Sequence, residues 1–291
     1  MSQLWYCIIF SILWTISLLP LRVLYLFSDL MFIIVYYLAG YRKKVVFENL
    51  HNAFPDKTDK EIKQIAFRFY RHFCDLIVET IKLPHLNDWQ ILKRVNYRNL
   101  EILDELYRKQ KSITGIIGHY NNWEWQNSLS LVLKHKVIAI YKPLTNNAID
   151  RLMLKLRIKY GAVMVPMSNI YKETAKYKQL QMPSISIFIA DQSPPKSEIR
   201  YRTMFLNQDT PIYLGAEKIA RKMDHAVIFL KMRKIKRGFY KIDPELLFEN
   251  AHGVSENEIT EAHVKALEKL IIEKPEYWLW THRRWKHKNV Q

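Results

Sequence analysis

His119 and Glu124, five residues apart, form the clearest acid/base pair in this sequence. They follow the apolar run 113–117 and precede the helix-like segment 125–129, so they lie at a predicted strand-to-helix corner. Such corners expose side chains at the C-terminal edge of a sheet, where open α/β folds bind ligands. A carboxylate can fix one imidazole tautomer while the other ring nitrogen takes a proton. The spacing is therefore typical of a general base, His119, oriented by Glu124; the competing interpretation is a capped histidine of the core.

Asp191 and Gln192 form a second candidate group, because they directly follow another apolar run, 185–190. The ends of parallel strands meet at one edge of a sheet, so we expect both side chains to emerge beside His119. Asp191 then orients a substrate hydroxyl or a basic side chain. The competing interpretation is an aspartate that only caps its loop.

The elements that must position these residues alternate along the chain from residue 113 onward. Short β-rich runs alternate with amphipathic stretches, which predicts an α/β fold with a mainly parallel sheet and helices on both faces. The predicted strands are 113–117, 137–141, 162–165, 185–190 and 226–232, and the predicted helices between them are 122–134, 146–160, 169–180 and 212–223. Capping-box patterns predict further helices after Thr58 and after Ser255, and Arg237 and Gly238 mark a basic hairpin tip.

Charge divides the chain into an apolar head and a basic body. The net charge is +17, yet residues 1–41 contain only Arg22 and Asp29 as charged residues. A basic body predicts an acidic partner, and nucleic acid, an anionic membrane, a phosphorylated lipid and an acidic carrier protein all remain open at this point. We divide the chain into an anchor, 1–41, and an α/β domain, 42–291.

The uncharged run 4–19 predicts an uncleaved membrane-anchoring helix, extended by flanking residues. Basic residues lie on its C-terminal side, which favours a cytoplasmic body. A second apolar run, 23–39, contains Asp29, and a carboxylate in mid-span costs about 3 kcal/mol, so we expect this run to lie along the membrane interface or to pack on the body. The competing interpretation is that the whole head is a buried hairpin.

Cysteine and metal chemistry are both disfavoured. Cys74 lies among apolar residues of a predicted helix and is expected to be a core residue, and Cys7 lies in the apolar head. His119 and Glu124 lack companion ligands at metal-binding spacing, so we expect no metal and no cofactor.

Several ordered segments resemble the late acyltransferases of lipid A biosynthesis, which belong to the lysophospholipid acyltransferase superfamily. The resemblance extends over nearly the whole chain. Three departures from the family pattern are Lys142 in place of an arginine, Asn121 in place of a glycine, and Trp280-Thr281 in place of leucine-histidine. The matching segments are the apolar N-terminus, 48–50, 53–55, the His119 to Glu124 corner, 141–143, Asn147, 149–150, Arg157, Asp191-Gln192, 205–206 and 275–286.

The resemblance implies transfer of a fatty acyl group from acyl carrier protein to a hydroxyl of a lipid A precursor at the bacterial inner membrane, with no need for a covalent acyl-enzyme. His119 would then deprotonate the hydroxyl. We expect backbone N–H groups near Asn122, or a nearby cation, to stabilise the oxyanion. Arg157 would bind a phosphate or the oxyanion, and Lys142 an acidic headgroup; for both, an exposed surface cation is the competing interpretation.

The C-terminal tail, 278–288, interleaves tryptophans with cations and predicts either contact with a membrane interface or a solvated helix end.

Three rival functions stay open. They are acyl transfer to another glycolipid, aminolipid or lysophospholipid; a non-catalytic, membrane-anchored protein that binds anionic lipid; and nucleic-acid binding. We do not expect nucleic acid to be the partner, because the sequence contains no recognition motif for it.

Overall fold

The computed structural model describes residues 3–143 and 145–287, without the side chains of residues 3–10 and 148. The chain forms ten α-helices and nine strands in this range. The helices are α1 (Gln3–Leu18), α2 (Leu21–Phe32), α3 (Lys43–Ala53), α4 (Asp59–Lys82), α5 (Asp88–Leu92), α6 (Glu101–Arg108), α7 (Asn147–Arg157), α8 (Ile170–Gln179), α9 (Gly215–Met223) and α10 (Glu258–Glu273). The strands are β1 (Val95–Tyr97), β2 (Ile113–Ile117), β3 (Lys136–Tyr141), β4 (Val163–Pro166), β5 (Ser184–Ile189), β6 (Arg202–Phe205), β7 (Gln208–Pro211), β8 (Ala226–Lys236) and β9 (Phe239–Phe248).

Seven strands form one twisted sheet in the order β1-β9-β8-β2-β5-β3-β4. The five strands β8, β2, β5, β3 and β4 are parallel, whereas β9 pairs antiparallel with β8. Strands β6 and β7 form a separate hairpin. This mixed α/β architecture with a mainly parallel sheet confirms the predicted fold class at that level.

Both faces of the sheet are buried. Along β8, Ala226 and Ile228 pack into one apolar core, whereas Val227 and Phe229 pack into another. Helices α4, α9 and α10 contribute buried residues to the second of these cores. Because both faces are buried, the central strands are continuous apolar runs in the sequence, and they could be predicted for this reason.

The structure differs from the sequence expectations in places where the signal is short or depends on distant residues. The predicted helix 122–134 is a 3-10 helix, Trp125–Leu131, and strands β1, β6, β7 and β9 were not predicted.

Two local expectations are confirmed. The capping box at Thr58 is present, because its side chain accepts from the Glu61 N–H and the Glu61 side chain accepts from the Thr58 N–H. Cys74 is buried, and burial raises the pKa of its thiol to about 12, as expected for a core residue.

The apolar head packs on the body along part of its length. Leu21 and Leu24 of α2 are buried, whereas Leu26 is 68% exposed. The segment Leu21–Leu38, which comprises α2 and a π-helix, is long and apolar enough to cross a membrane, with a mean hydropathy of 1.7. The predicted span 4–19 corresponds to α1 and is shorter, at 16 residues. Residues 1 and 2 lie outside the described part, and the boundary at residue 41 stays a prediction.

A polar stripe on α2 explains how Asp29 is accommodated. Asp29 forms a two-point ion pair with Arg237 in the turn between β8 and β9, and Arg237 also donates to Asp75 of α4. The preceding residue, Ser28, donates to the same Asp75 carboxylate. Asp29 is therefore paired against the body, and one side of the second apolar run packs on it. Arg237, expected in a basic hairpin tip, is one member of this ion-pair network.

The C-terminal tail departs most from expectation. Trp278, Trp280 and Trp285 are buried, and the Arg284 side chain is fully buried. Both tail interpretations, a membrane-interface segment and a solvated helix end, are therefore wrong for these residues. Lys288 lies outside the described part. The tryptophans pack into the core that also contains residues of α3, α4 and α10, where large aromatic side chains remove much apolar area from water.

Candidate active site

His119 and Asp191 occupy equivalent positions at the ends of neighbouring parallel strands. Ile117, the last residue of β2, is in register with Ile189, the last residue of β5, and each chain continues two residues to the functional side chain. Gly118 permits the close approach, because a Cβ there would lie 3.2 Å from Oδ2 of Asp191 and would collide with Leu267. The predicted meeting of these residues at the sheet edge is confirmed.

Asp191 binds the imidazole of His119 directly. Oδ1 of Asp191 lies 2.6 Å from Nδ1 of His119, and Oδ2 accepts the His119 backbone N–H at 2.8 Å. The indole N–H of Trp278 also donates to Oδ2, at 2.7 Å. A carboxylate on Nδ1 favours the tautomer with the proton on Nδ1, which leaves Nε2 free to accept a proton.

The ionised state of Asp191 is stabilised strongly. Burial by itself raises the pKa of this carboxyl, but the charge of His119 and the hydrogen bonds from His119 and Trp278 outweigh it and lower the pKa to about 2. Its side chain is 2% exposed, compared with 15% for His119. A buried anion is thus available at neutral pH to stabilise a protonated imidazole.

Glu124 has a different partner from the one that its spacing predicted. Its two carboxylate oxygens accept hydrogen bonds from Nε and Nη2 of Arg157 on α7, at 3.0 and 2.6 Å. The orientation of His119 by Glu124 is therefore corrected, since Asp191 occupies Nδ1 of the imidazole. Burial opposes the charge of Arg157, but the Glu124 carboxylate outweighs this and raises the pKa of the guanidinium. The exposed-arginine interpretation of Arg157 is likewise corrected.

These side chains line one cleft at the sheet edge, with a volume of about 560 Å³. His119, Glu124 and Arg157 lie in its wall, and Gln192 places Nε2 of its amide 3.2 Å from Nε2 of His119. Lys142 is exposed and also lines the cleft. The predicted residues His119, Glu124, Lys142, Arg157 and Gln192 thus share one cavity.

Asn122 does not face this cleft as a ligand. The residue is 2% exposed, and its side chain donates to Glu79 at 2.6 Å; neither residue lines the cavity. The helix that was expected to begin near Asn122 starts at Trp125 and is a 3-10 helix of seven residues. The cleft is lined by three cations, Lys142, Arg157 and Lys286, so the alternative of a nearby cation as the oxyanion donor stays a prediction.

The C-terminal tail contributes to the site in a way that the sequence analysis missed. The carbonyl of Tyr277 accepts the N–H of Asn121, and the N–H of Leu279 donates to the His119 carbonyl, so the tail runs antiparallel beside the corner that contains His119. Its His282 lines the cleft, and burial lowers the pKa of this imidazole to about 4, so it is neutral at pH 7. The segment 275–286, which resembles the family's tail, could have indicated this role. Its alternation of tryptophans and cations suggested a surface segment instead.

The fold is α/β, and a hydrogen-bonded pair, His119 and Asp191, lies at an open cleft at the edge of its sheet. The model of the family described as bacterial lipid A biosynthesis acyltransferase matches residues 1–287. The chain belongs to this family and is an acyltransferase.

Curated relatives are distant but cover most of the chain. The lipid A biosynthesis palmitoleoyltransferase of Escherichia coli (strain K12) is 24% identical over 255 residues, which are 86% of this chain and 80% of the relative. A lipid A biosynthesis acyltransferase of Shigella flexneri gives the same values. The lipid A biosynthesis lauroyltransferase of Escherichia coli (strain K12) is 22% identical over 279 residues, which are 95% of this chain and 89% of the relative. The two Escherichia coli relatives are named for different acyl groups.

Proposed function

We propose that the protein transfers a fatty acyl chain from acyl carrier protein to a hydroxyl group of a lipid A precursor, with His119 as general base oriented by Asp191. The observation that carries this proposal is the 2.6 Å contact between Asp191 and Nδ1 of His119 in a cleft wall. Family membership supports the acyltransfer and the lipid A-type acceptor.

In this mechanism, Nε2 of His119 takes the proton of the acceptor hydroxyl as its oxygen attacks the thioester carbonyl carbon. Asp191 stabilises the imidazolium that forms. The tetrahedral intermediate then expels the thiolate by breaking the C–S bond, and the imidazolium returns its proton to the sulfur. Gln192, whose amide now contacts Nε2, must yield this position to the hydroxyl. General-base help of this kind contributes roughly 10²- to 10⁴-fold to the rate.

Charge supports both proposed partners. Lys142, Arg157 and Lys286 line the cleft, where they can bind the anionic headgroup of the acceptor or the developing oxyanion. The net charge of +17 suits docking of an acidic carrier protein through steered, salt-sensitive contacts.

The direct test is lipid mass spectrometry of bacterial cells with and without the intact gene. Loss of one ester-linked acyl chain from lipid A in the deletion strain, restored by the wild-type gene, supports the proposal. A missing chain on another glycolipid, an aminolipid or a phospholipid would assign a different acceptor. No change in any lipid would favour the non-catalytic lipid-binding alternative over the proposed acceptor.

Glu124 and Arg157 are expected to act as one unit that shapes the cleft wall. Glu124→Gln removes one charged acceptor and Arg157→Lys removes the two-point fork, so each should lower kcat/KM by roughly 10- to 100-fold, the range of a lost hydrogen bond between charged groups. The double variant should lose little more than either single variant. Steady-state transfer kinetics test this, with Arg151→Lys on the exposed face of α7 as the control that keeps wild-type activity. Fully additive losses would contradict the coupling.

We also propose that the head, α1 with the exposed face of α2, attaches the enzyme to the cytoplasmic side of the inner membrane. Exposed apolar side chains on this face include Leu26, Phe27 and Leu30, and Asp29 does not oppose insertion because it is paired with Arg237. The family resemblance and the basic residues that follow the head favour this orientation.

Membrane extraction tests the attachment. At 1 M salt the Debye length is about 3 Å, so purely electrostatic binding should be lost, while insertion of apolar side chains should persist. We therefore expect the protein to stay in the membrane fraction after a high-salt wash and to be released by detergent. Release by salt alone would contradict an apolar attachment.

A further inference from the structure

A buried carboxylate lies directly behind the catalytic corner, and the proposed chemistry does not use it. Glu79, near the C-terminal end of α4, is 0% exposed. Burial of a carboxylate is costly unless donors compensate it, so its partners indicate what it holds in place.

Three side-chain donors converge on the carboxylate of Glu79. The amide of Asn122 donates to Oε2 at 2.6 Å, and the Tyr240 hydroxyl on β9 donates to the same oxygen at 2.7 Å. The Tyr25 hydroxyl on α2 donates to Oε1 at 2.8 Å. Each donor comes from a different part of the fold: the catalytic corner, the sheet and the apolar head.

Asn122 connects Glu79 to the loop between His119 and Glu124. It lies between His119 and Glu124, and its Oδ1 accepts the backbone N–H of Trp125 at 3.1 Å. The indole of Trp125 in turn donates to the Glu79 carbonyl at 3.2 Å. The loop that connects the proposed base to the 3-10 helix is therefore tied to α4 at two points.

The turn between β8 and β9 packs closely against Tyr25 of the head. Gly238, in the turn between β8 and β9, has φ +70°, and a Cβ at this position would collide with the hydroxyl of Tyr25. The Arg237 guanidinium lies 4.3 Å from the centre of the Tyr25 ring and donates to the Tyr25 carbonyl. Tyr25 is thus held in the position from which it reaches Glu79.

We infer that Glu79 is a positioning residue for acyl transfer, which through Asn122 holds the loop between His119 and Glu124 in its productive geometry and through Tyr25 couples the apolar head to that loop. This inference rests on the proposed function. Misplacement of reacting groups by about 1 Å can cost 10²-fold in rate, so an indirect role can have a large effect. The head is then a part of the catalytic machinery as well as an attachment.

The test compares kcat, KM and melting temperature in variants of this network. Glu79→Leu leaves three donors unpaired and Asn122→Ala removes the link to the corner, and each should lower kcat by roughly 10- to 100-fold. The double variant should lose no more than the larger single loss, because both changes break the same link. Glu79→Gln retains an acceptor and should restore kcat to within a few-fold of wild type.

Glu217, which does not line the cleft, provides a matched control. It is also a buried glutamate that accepts three hydrogen bonds, two from Thr260 and one from Asn257 at the start of α10. Glu217→Leu should lower the melting temperature without lowering the kcat of the folded enzyme. If Glu79→Leu does not fold by circular dichroism, Asn122→Ala decides the question, since it leaves the buried carboxylate its two tyrosine donors.

The outcomes separate this inference from the proposed function. Wild-type kcat in folded Glu79→Leu or Asn122→Ala, with His119→Ala inactive, would overturn the positioning role and leave the function intact. Additive losses in the double variant would also overturn it. Full activity in His119→Ala would instead refute the proposed mechanism, whatever the network variants do.

Discussion

Replacing His119 with alanine should reduce acyl transfer by roughly 10²- to 10⁴-fold in kcat, because an alcohol is a poor nucleophile without a base. His119 is 15% exposed and contributes no buried apolar side chain, so the variant should remain folded. The measurement is the initial rate of transfer, with circular dichroism to confirm folding. His252→Ala, on an exposed loop, is the control that should keep the wild-type rate. A folded His119→Ala enzyme with a near-wild-type rate would remove His119 from the mechanism.

Asp191→Asn should be almost as damaging, although it changes only one atom. The carboxylate accepts three N–H groups, and an asparagine offers a single oxygen to them. Its amide would donate to Nδ1 of His119, which forces the proton onto Nε2 and removes the base. We expect kcat to fall roughly 10²- to 10⁴-fold with little change in KM, since the general base is lost while the cleft is kept.

The pH dependence of stability provides a separate check on Asp191. Its folded pKa of about 2 lies below its ordinary value of 3.8, so its contribution to stability is present above about pH 4 and is lost as the pH falls toward 2. The melting temperature of the wild type should therefore fall more steeply between pH 4 and 2 than that of Asp191→Asn. Asp209→Asn, which alters an exposed ion pair, should resemble the wild type both in kcat and in the pH dependence of the melting temperature. Equal acid sensitivity of the wild type and Asp191→Asn would contradict the ion pair with His119.

The sequence predicted the strands that are buried on both faces, because continuous apolar runs between turn residues leave few alternatives. It therefore also predicted that His119 and Asp191 meet, since their positions follow from the ends of two parallel strands. Strand β9 was not predicted because it pairs antiparallel with β8, in a part of the sheet that the alternation of strands and helices does not describe.

The choice of partner for His119 could not be read from spacing. Glu124 is near in sequence, but the chain turns at Asn121, with φ 56°, and the side chain of Glu124 meets Arg157 on α7. The roles of Trp278 and Glu79 depend on contacts across more than 40 residues, which no local pattern encodes. The prediction of a tail at the surface was wrong for the same reason, because its tryptophans are buried by helices that are distant in sequence.

The central claim is most directly tested by a transfer reaction with purified components. The full-length enzyme in detergent would be combined with acyl carrier protein loaded with a single fatty acid and with a purified lipid A precursor that carries a free 3-hydroxyacyl chain. The account predicts a product whose mass increases by one acyl group, formed by the wild type and nearly absent with His119→Ala. No acylated product from folded wild-type enzyme with any carrier-bound acyl chain, or equal product from His119→Ala, would contradict it.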